Sequence, residues 1–254
     1  MNYDKAKKEF INIIEHHTYK YRGWEIFLDL CKISAISLYQ PFARDKKLEE
    51  EYLQTVSKYN KEFTQEIFPK LFSLIILGLS DKMGDFLGEC FMELNLGTKF
   101  KGQFFTPYHI SKFMALVLGE NTKDIEYLSE PAVGAGGMVI ARADTLRGFG
   151  VNYQEVMEVQ AVDIDSLCVD MCYIQLSLLH ISAEVVYGNS LTLEVFRTWY
   201  TPAYIMRATK RQVPNIEELD SEVKIKVPDD TNENKILYRD KELEVFATGK
   251  LFAV

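Results

Sequence analysis

The stretch EPAVGAGGM, Glu130 to Met138, sets three glycines within four positions where an apolar segment gives way to a helical one. Glycine allows positive φ and close approach of another group to the backbone. A helix opening there would present unpaired amides and a positive dipole end. Such a loop cradles an anionic group, a phosphate or a carboxylate. It is equally what a tight turn requires, and the loop alone does not separate the two.

The flanking segments give it a context. DIEYLSEP reads as a strand running into the loop, and GGMVIARADTLRGFG as a helix ending on glycine. VMEVQAVDID is a second strand, SLCVDMCYIQLSLLHI a second helix and AEVVYGNS a third strand. Alternating strands and helices are the signature of a parallel α/β sheet. Asp163 ends the second strand 27 residues beyond Gly136. Adenosine-binding α/β folds use an acid near that distance to accept hydrogen bonds from ribose hydroxyls. Asp165 suits the cap of the following helix. Asn189, ending the third strand in YGNS, offers a donor and an acceptor to an adenine edge, or simply makes a turn. Upstream, GQFFTP puts Phe104 and Phe105 before Thr106 and Pro107, a capping residue followed by a favoured first helical position. The two rings are either core packing or a pocket wall.

Residues 1 to about 100 read as helices, with apolar positions recurring every three and four residues. Pro41 is expected to close the second of them. The longest apolar run, LFSLIILGL, is shorter than the ~20 residues of a membrane span. It reads as a buried helix, and the N-terminus lacks the apolar core of a signal peptide. With 47% hydrophobic residues the 254-residue chain can bury a sizeable core. The net charge of −8 is the wrong sign for a chain that grips nucleic acid unaided, because phosphate neutralisation dominates such affinity. Cys31, Cys90, Cys168 and Cys172 form no C-x-x-C pair; buried reduced thiols and a cytosolic location are expected, with no metal site and no membrane. Lys99, Lys101, Arg142, Arg147, Arg207, Lys210 and Arg211 flank the loop region and could meet a DNA backbone, although scattered surface charge is the ordinary explanation. Residues 212–234 hold seven acids against two lysines and look linker-like; the segment from Lys235 alternates as a terminal hairpin would.

Taken in order, GQFFTP, EPAVGAGG, AVDID and GNS resemble the motifs of adenine-N6 DNA methyltransferases, closest to the modification subunit of type I restriction systems. The resemblance spans roughly residues 80–195. It implies a Rossmann-like methyltransferase core that binds S-adenosylmethionine. Phe104, Phe105, Thr106 and Pro107 would contact this cofactor. Glu130, at the end of the first strand where the family usually has Asp, and Pro131 would also belong to the cofactor site; Gly134, Gly136 and Gly137 would cradle the methionine end, Asp163 the ribose, and Asn189, where the family has Asp, the adenine. It implies DNA as substrate, with a specificity or restriction subunit as partner.

The family's catalytic tetrad, (Asn/Asp)-Pro-Pro-(Tyr/Phe), is absent from the sequence. Its nearest echo is TPAY, which makes Thr201, Pro202 and Tyr204 the catalytic candidates. The expected organisation is a helical region over 1–98, a Rossmann-like core over 99–206 and a C-terminal extension over 207–254. Three functions remain open: a divergent but active adenine methyltransferase, a cofactor-binding relative that has lost methyl transfer, and a scaffold that docks through its helical half.

Overall fold

The computed structural model describes residues 1–96, 104–120 and 125–210. The acidic segment, the C-terminal hairpin, Lys99, Lys101 and Arg211 lie outside the described residues. Contacts divide the chain into two units, Met1–Arg207 and Ala208–Val254. The first unit holds the helical region, the sheet and the glycine loop.

Its N-terminal part comprises α1 (Tyr3–His16), α2 (Gly23–Ala43), α3 (Lys46–Val56), α4 (Phe68–Asp81) and α5 (Phe86–Glu93). Side chains cap three of them: Asn2 accepts from the Lys5 amide, Asp45 from Lys47 and Asp85 from Gly88. Pro41 does not close α2. The helix runs through it to Ala43 and ends where Arg44 adopts the left-handed conformation at φ 50°. The apolar stretch is also longer than the sequence run suggests. A π turn over Phe63–Ile67 runs directly into α4, and Pro69, which has no amide to donate back, sits just past the junction. Phe63–Asp81 is a 19-residue helical stretch of mean hydropathy 1.2, long and apolar enough to cross a membrane. Here Phe63, Phe68, Leu71, Leu74, Ile75 and Leu79 are buried in the core of the unit.

The α/β part continues as α6 (Tyr108–Val117), β1 (Glu126–Glu130), α7 (Gly137–Gly148), α8 (Tyr153–Val156), β2 (Met157–Asp163), α9 (Ser166–Leu178), β3 (Ala183–Asn189), β4 (Glu194–Tyr200) and α10 (Pro202–Lys210). The sheet order is β1-β2-β3-β4. The first three strands are parallel, with Glu130 level with Ala161 and Ala161 level with Val185. β4 returns antiparallel along β3. The fold is thus the Rossmann-like α/β class with a leading helical region. One core joins the two parts: Tyr39 of α2 meets Trp199 of β4 at 5.0 Å, and the Leu87 amide of α5 donates to Gln175 of α9 at 3.0 Å.

The two flanks of the sheet differ. Toward β3, alternate residues are buried beneath α9, with Val185 and Trp199 at the centre. Toward β1, no strand residue is fully buried, and Tyr127 is exposed. α6 packs on α7, turning Ser111 and Ala115 inward. Ile110, Phe113, Met114, Val117 and Leu118 face outward. Arg142 of α7 ties this flank together: it makes a bidentate pair with Glu126 of β1 at 2.6 and 2.7 Å and donates to the Gly119 carbonyl at 2.7 Å.

Candidate functional site

Parallel strands deliver their C-terminal ends to one side of a sheet, and ligands of open α/β sheets bind there. Glu130, Asp163 and Asn189 end β1, β2 and β3 and therefore share that side. The glycine loop leaves it. Gly134 and Gly136 sit at φ +55° and +98°, conformations that side chains resist. A Cβ at Gly134 would stand 3.1 Å from the Phe105 ring, and one at Gly136 3.3 Å from the Cys172 sulfur. The glycines are thus required by backbone conformation and by packing within the protein. Gly136 occupies the cap of α7, and Gly137 opens the helix with its first-turn amides unmatched by helical carbonyls.

Asp163 holds the loop in place. One carboxylate oxygen accepts from the Gly134 amide at 2.8 Å and the other from Asp165 at 2.9 Å. Burial raises the Asp163 pKa above the ordinary carboxylate range, against the pull of the backbone hydrogen bonds. Glu130 is raised for the same reason, and the nearby Asp163 charge adds to it. Asp165 caps α9 through the Leu167 amide, as its position in the sequence suggested. The Val133 amide also donates to the Val162 carbonyl, stitching the loop to the end of β2.

Two site features escaped the sequence reading. Gln175 of α9 is fully buried. It donates to the Ala135 carbonyl at 2.7 Å and to Asp85 at 2.8 Å while accepting from Leu87. It thereby fixes the glycine loop against the helical region. Asp85 lies against the start of α7: a Cβ at Gly137 would be 3.0 Å from its carboxylate. Burial pushes its pKa up to about 6. The second feature is Ile164, 63% exposed directly after the strand-end acid, an apolar surface where an aromatic ring could rest. An isoleucine between two aspartates in AVDID was its only signal.

Other expected residues divide between core, surface and turn. Phe105 packs on Phe91 at 5.1 Å and against Gly134, so it serves the core and the loop at once. Phe104, Thr106, Pro107 and Pro131 are exposed. Thr106 does not cap α6. Pro107 is extended at ψ 135°, so the helix opens one residue later than expected. Asn189 makes the turn: its side-chain carbonyl oxygen accepts from the Leu191 and Thr192 amides.

Thr201, Pro202 and Tyr204 lie apart from the glycine loop. β4 runs antiparallel to β3, so it carries TPAY back to the start of β3, where Glu184 pairs with Tyr200. That is roughly 20 Å from the glycine loop by the length of a seven-residue strand. The Thr201 hydroxyl is buried, accepting from Ala183 and donating to the Ile181 carbonyl. The Tyr204 ring stacks on Tyr200. These residues close the far end of the sheet. Arg142 is buried in its pair with Glu126, and Arg207 bonds the Met157 and Glu155 carbonyls, so neither is open to a DNA backbone.

A glycine loop between strand and helix, clasped by the acid that ends the next strand, is the arrangement by which α/β folds hold adenosine-containing ligands. The chain belongs to the N-6 DNA methylase family, whose model matches residues 80–210. No curated protein matches the chain. Among solved structures, it is similar to a Listeria monocytogenes protein described as a putative class I S-adenosylmethionine-dependent methyltransferase. The identity is 15% and the TM-score 0.39, over 71% of this chain and 52% of that one. It is also similar to a type I restriction-modification methyltransferase subunit from Streptococcus thermophilus. There the identity is 12% and the TM-score 0.37, over 70% of this chain and 55% of that one. The chain spans about half the length of each.

Proposed function

We propose that the protein binds S-adenosylmethionine at the glycine loop and serves adenine-N6 methylation of DNA by supplying the cofactor half of the site. The carrying observation is the clasp of Asp163 on the Gly134 amide, with Glu130 beside it. Two carboxylates at the mouth of the loop disfavour a pyrophosphate. They favour a ligand that brings an ammonium, a sulfonium and ribose hydroxyls. The first-turn amides of α7 suit the ligand's carboxylate. Asp163 would take the ribose, Ile164 would support the adenine, and the Asn189 amide would donate to a ring nitrogen. When bound, the cofactor supplies an electrophilic methyl group. Methyl transfer to the adenine amino nitrogen then depends on orienting that nitrogen, a proximity effect.

The orienting tetrad is not in this sequence, and TPAY lies at the far end of the sheet. This favours a chain that binds cofactor without transferring methyl on its own, as a binding or scaffold module. Calorimetry with S-adenosylmethionine tests the first claim, and labelled methyl incorporation into mixed DNA the second. One-to-one binding with no incorporation is expected from the chain alone. Absence of heat at high protein concentration contradicts the cofactor reading, and robust incorporation contradicts the division of labour.

A further inference from the structure

A carboxylate taken out of water needs a cation or several donors to face it. Asp85 is 3% exposed, and its two oxygens are served unequally. Oδ1 accepts from the Gly88 amide at 3.0 Å and from the Gln175 side chain at 2.8 Å. Oδ2 accepts nothing among the described residues, and the one charge that bears on the group, Glu89, has the same sign. Tyr3 of α1, Glu89 and Cys90 of α5, Tyr108 of α6 and Cys172 of α9 surround it, none of them cationic. Lys7 pairs with Glu89 and Glu93 instead. Asp85 Oδ2 is not one of the sealed polar atoms of the fold, so it keeps a contact with solvent.

Its position shows what kind of partner is missing. Oδ2 is the atom nearest to where a Cβ at Gly137 would stand, 3.0 Å away. Gly137 opens α7, and no side chain caps that helix. Its first-turn amides suit a carboxylate. A carboxylate oxygen without a partner and amides without a cap thus stand at the same helix start. An α-amino acid carries an ammonium and a carboxylate on one carbon, and so answers both at once. A phosphate would answer the amides and be repelled by Asp85. Glu130, the other acid of the loop, ends β1 seven residues before Gly137 and accepts from the Ala132 amide.

We propose that Asp85 is the acceptor for the α-ammonium of the ligand's methionine end, and so the residue that selects an amino-acid ligand over other adenosine compounds. This rests on the reading of the glycine loop as an S-adenosylmethionine site. It also brings the helical region into ligand binding. Asp85 caps α5, while Gln175 ties its other oxygen to the Ala135 carbonyl of the glycine loop. The ammonium would favour the charged carboxylate, against the burial that raises the Asp85 pKa to about 6.

The test titrates the full chain by calorimetry with S-adenosylhomocysteine and with its deamino analogue, which keeps the carboxylate. 5′-Methylthioadenosine, which lacks both charged groups, is the control. The unaltered protein should prefer the amino compound by at least about tenfold. Asp85→Asn keeps the shape of the side chain and an acceptor for Gly88. In it the preference should fall to within about twofold, with 5′-methylthioadenosine bound as before. A second readout needs no variant: the Asp85 carboxyl, followed by NMR, should titrate lower with S-adenosylhomocysteine bound than with the deamino analogue. Equal affinity for the pair in the unaltered protein overturns the proposal, as does equal titration of the carboxyl. So does a preference that survives in Asp85→Asn, or one lost only in Glu130→Gln, which assigns the ammonium to the strand end. A parallel fall for all three ligands in Asp85→Asn also overturns it, because Asp85 then only supports the loop. A chain that binds 5′-methylthioadenosine without telling the pair apart loses this assignment alone. A chain that binds none of the three loses the cofactor reading beneath it.

Discussion

The two flanks of the sheet are built from similar residues to different ends. Toward β3 and β4, Trp199 sits against Tyr39 and Tyr173, β3 alternates buried and half-buried positions over most of its length, and β4 is buried at Trp199 and Tyr200. Toward β1, residues just as apolar stand in solvent on α6, and the strand edge is open among the described residues. The glycine loop springs from β1, so the functional end of the molecule borders its least covered flank. The largest buried aromatic side chain of the sheet, Trp199, lies on one side, while ligand chemistry is assigned to the other.

The sharpest way to break this comparison is to delete equal apolar bulk from each flank. Trp199→Ala should cost about 3–5 kcal/mol of unfolding free energy, because the indole is fully buried. Phe113→Ala should stay within about 0.5 kcal/mol, as expected of an exposed site. Comparable losses in urea melts would show that α6 is packed after all. A smaller effect tests the far end of the sheet. Thr201→Ala leaves the buried Ala183 amide without its acceptor and should cost about 1–3 kcal/mol. Cofactor affinity should be unchanged in both Thr201→Ala and Tyr204→Ala. A tenfold loss of affinity in Tyr204→Ala would return TPAY to the site.

Asp85 offers a test by pH. Its folded pKa, raised to about 6 by burial, exceeds its unfolded value. The native state therefore binds the proton more tightly than the unfolded chain does. The resulting stability is present below about pH 4 and is lost as pH rises through about 6, by up to about 3 kcal/mol. The difference in stability between the protein and Asp85→Asn should follow that slope in urea melts at pH 4, 5 and 7. A flat difference would mean that Asp85 keeps an ordinary carboxylate pKa in the fold.

What the sequence disclosed reflects what hydrophobic period and turn chemistry encode. The three parallel strands, their helices and the strand-end positions of Glu130, Asp163 and Asn189 were legible because each strand is a short apolar run ended by turn residues. The direction of β4 was not. LEVFRTWY has the same alternation whether it lies parallel or antiparallel, and only the short link from Asn189 makes the hairpin, which sends TPAY away from the loop. The exposed stripe of α6 was hidden for a related reason: a 3.6-residue period identifies a face without saying what covers it. Asp85 and Gln175 were invisible because their partnership spans 90 residues of chain.

The central claim is that the end of the sheet bearing Asp163 and the glycine loop is a cofactor site. Titration calorimetry of the full chain with S-adenosylmethionine, repeated on Asp163→Ala, tests it most directly. The account predicts one-to-one binding that falls at least about tenfold in the variant, through loss of the clasp on Gly134 and of the ribose acceptor. Equal affinity in both proteins, or none in the unaltered chain, would contradict it.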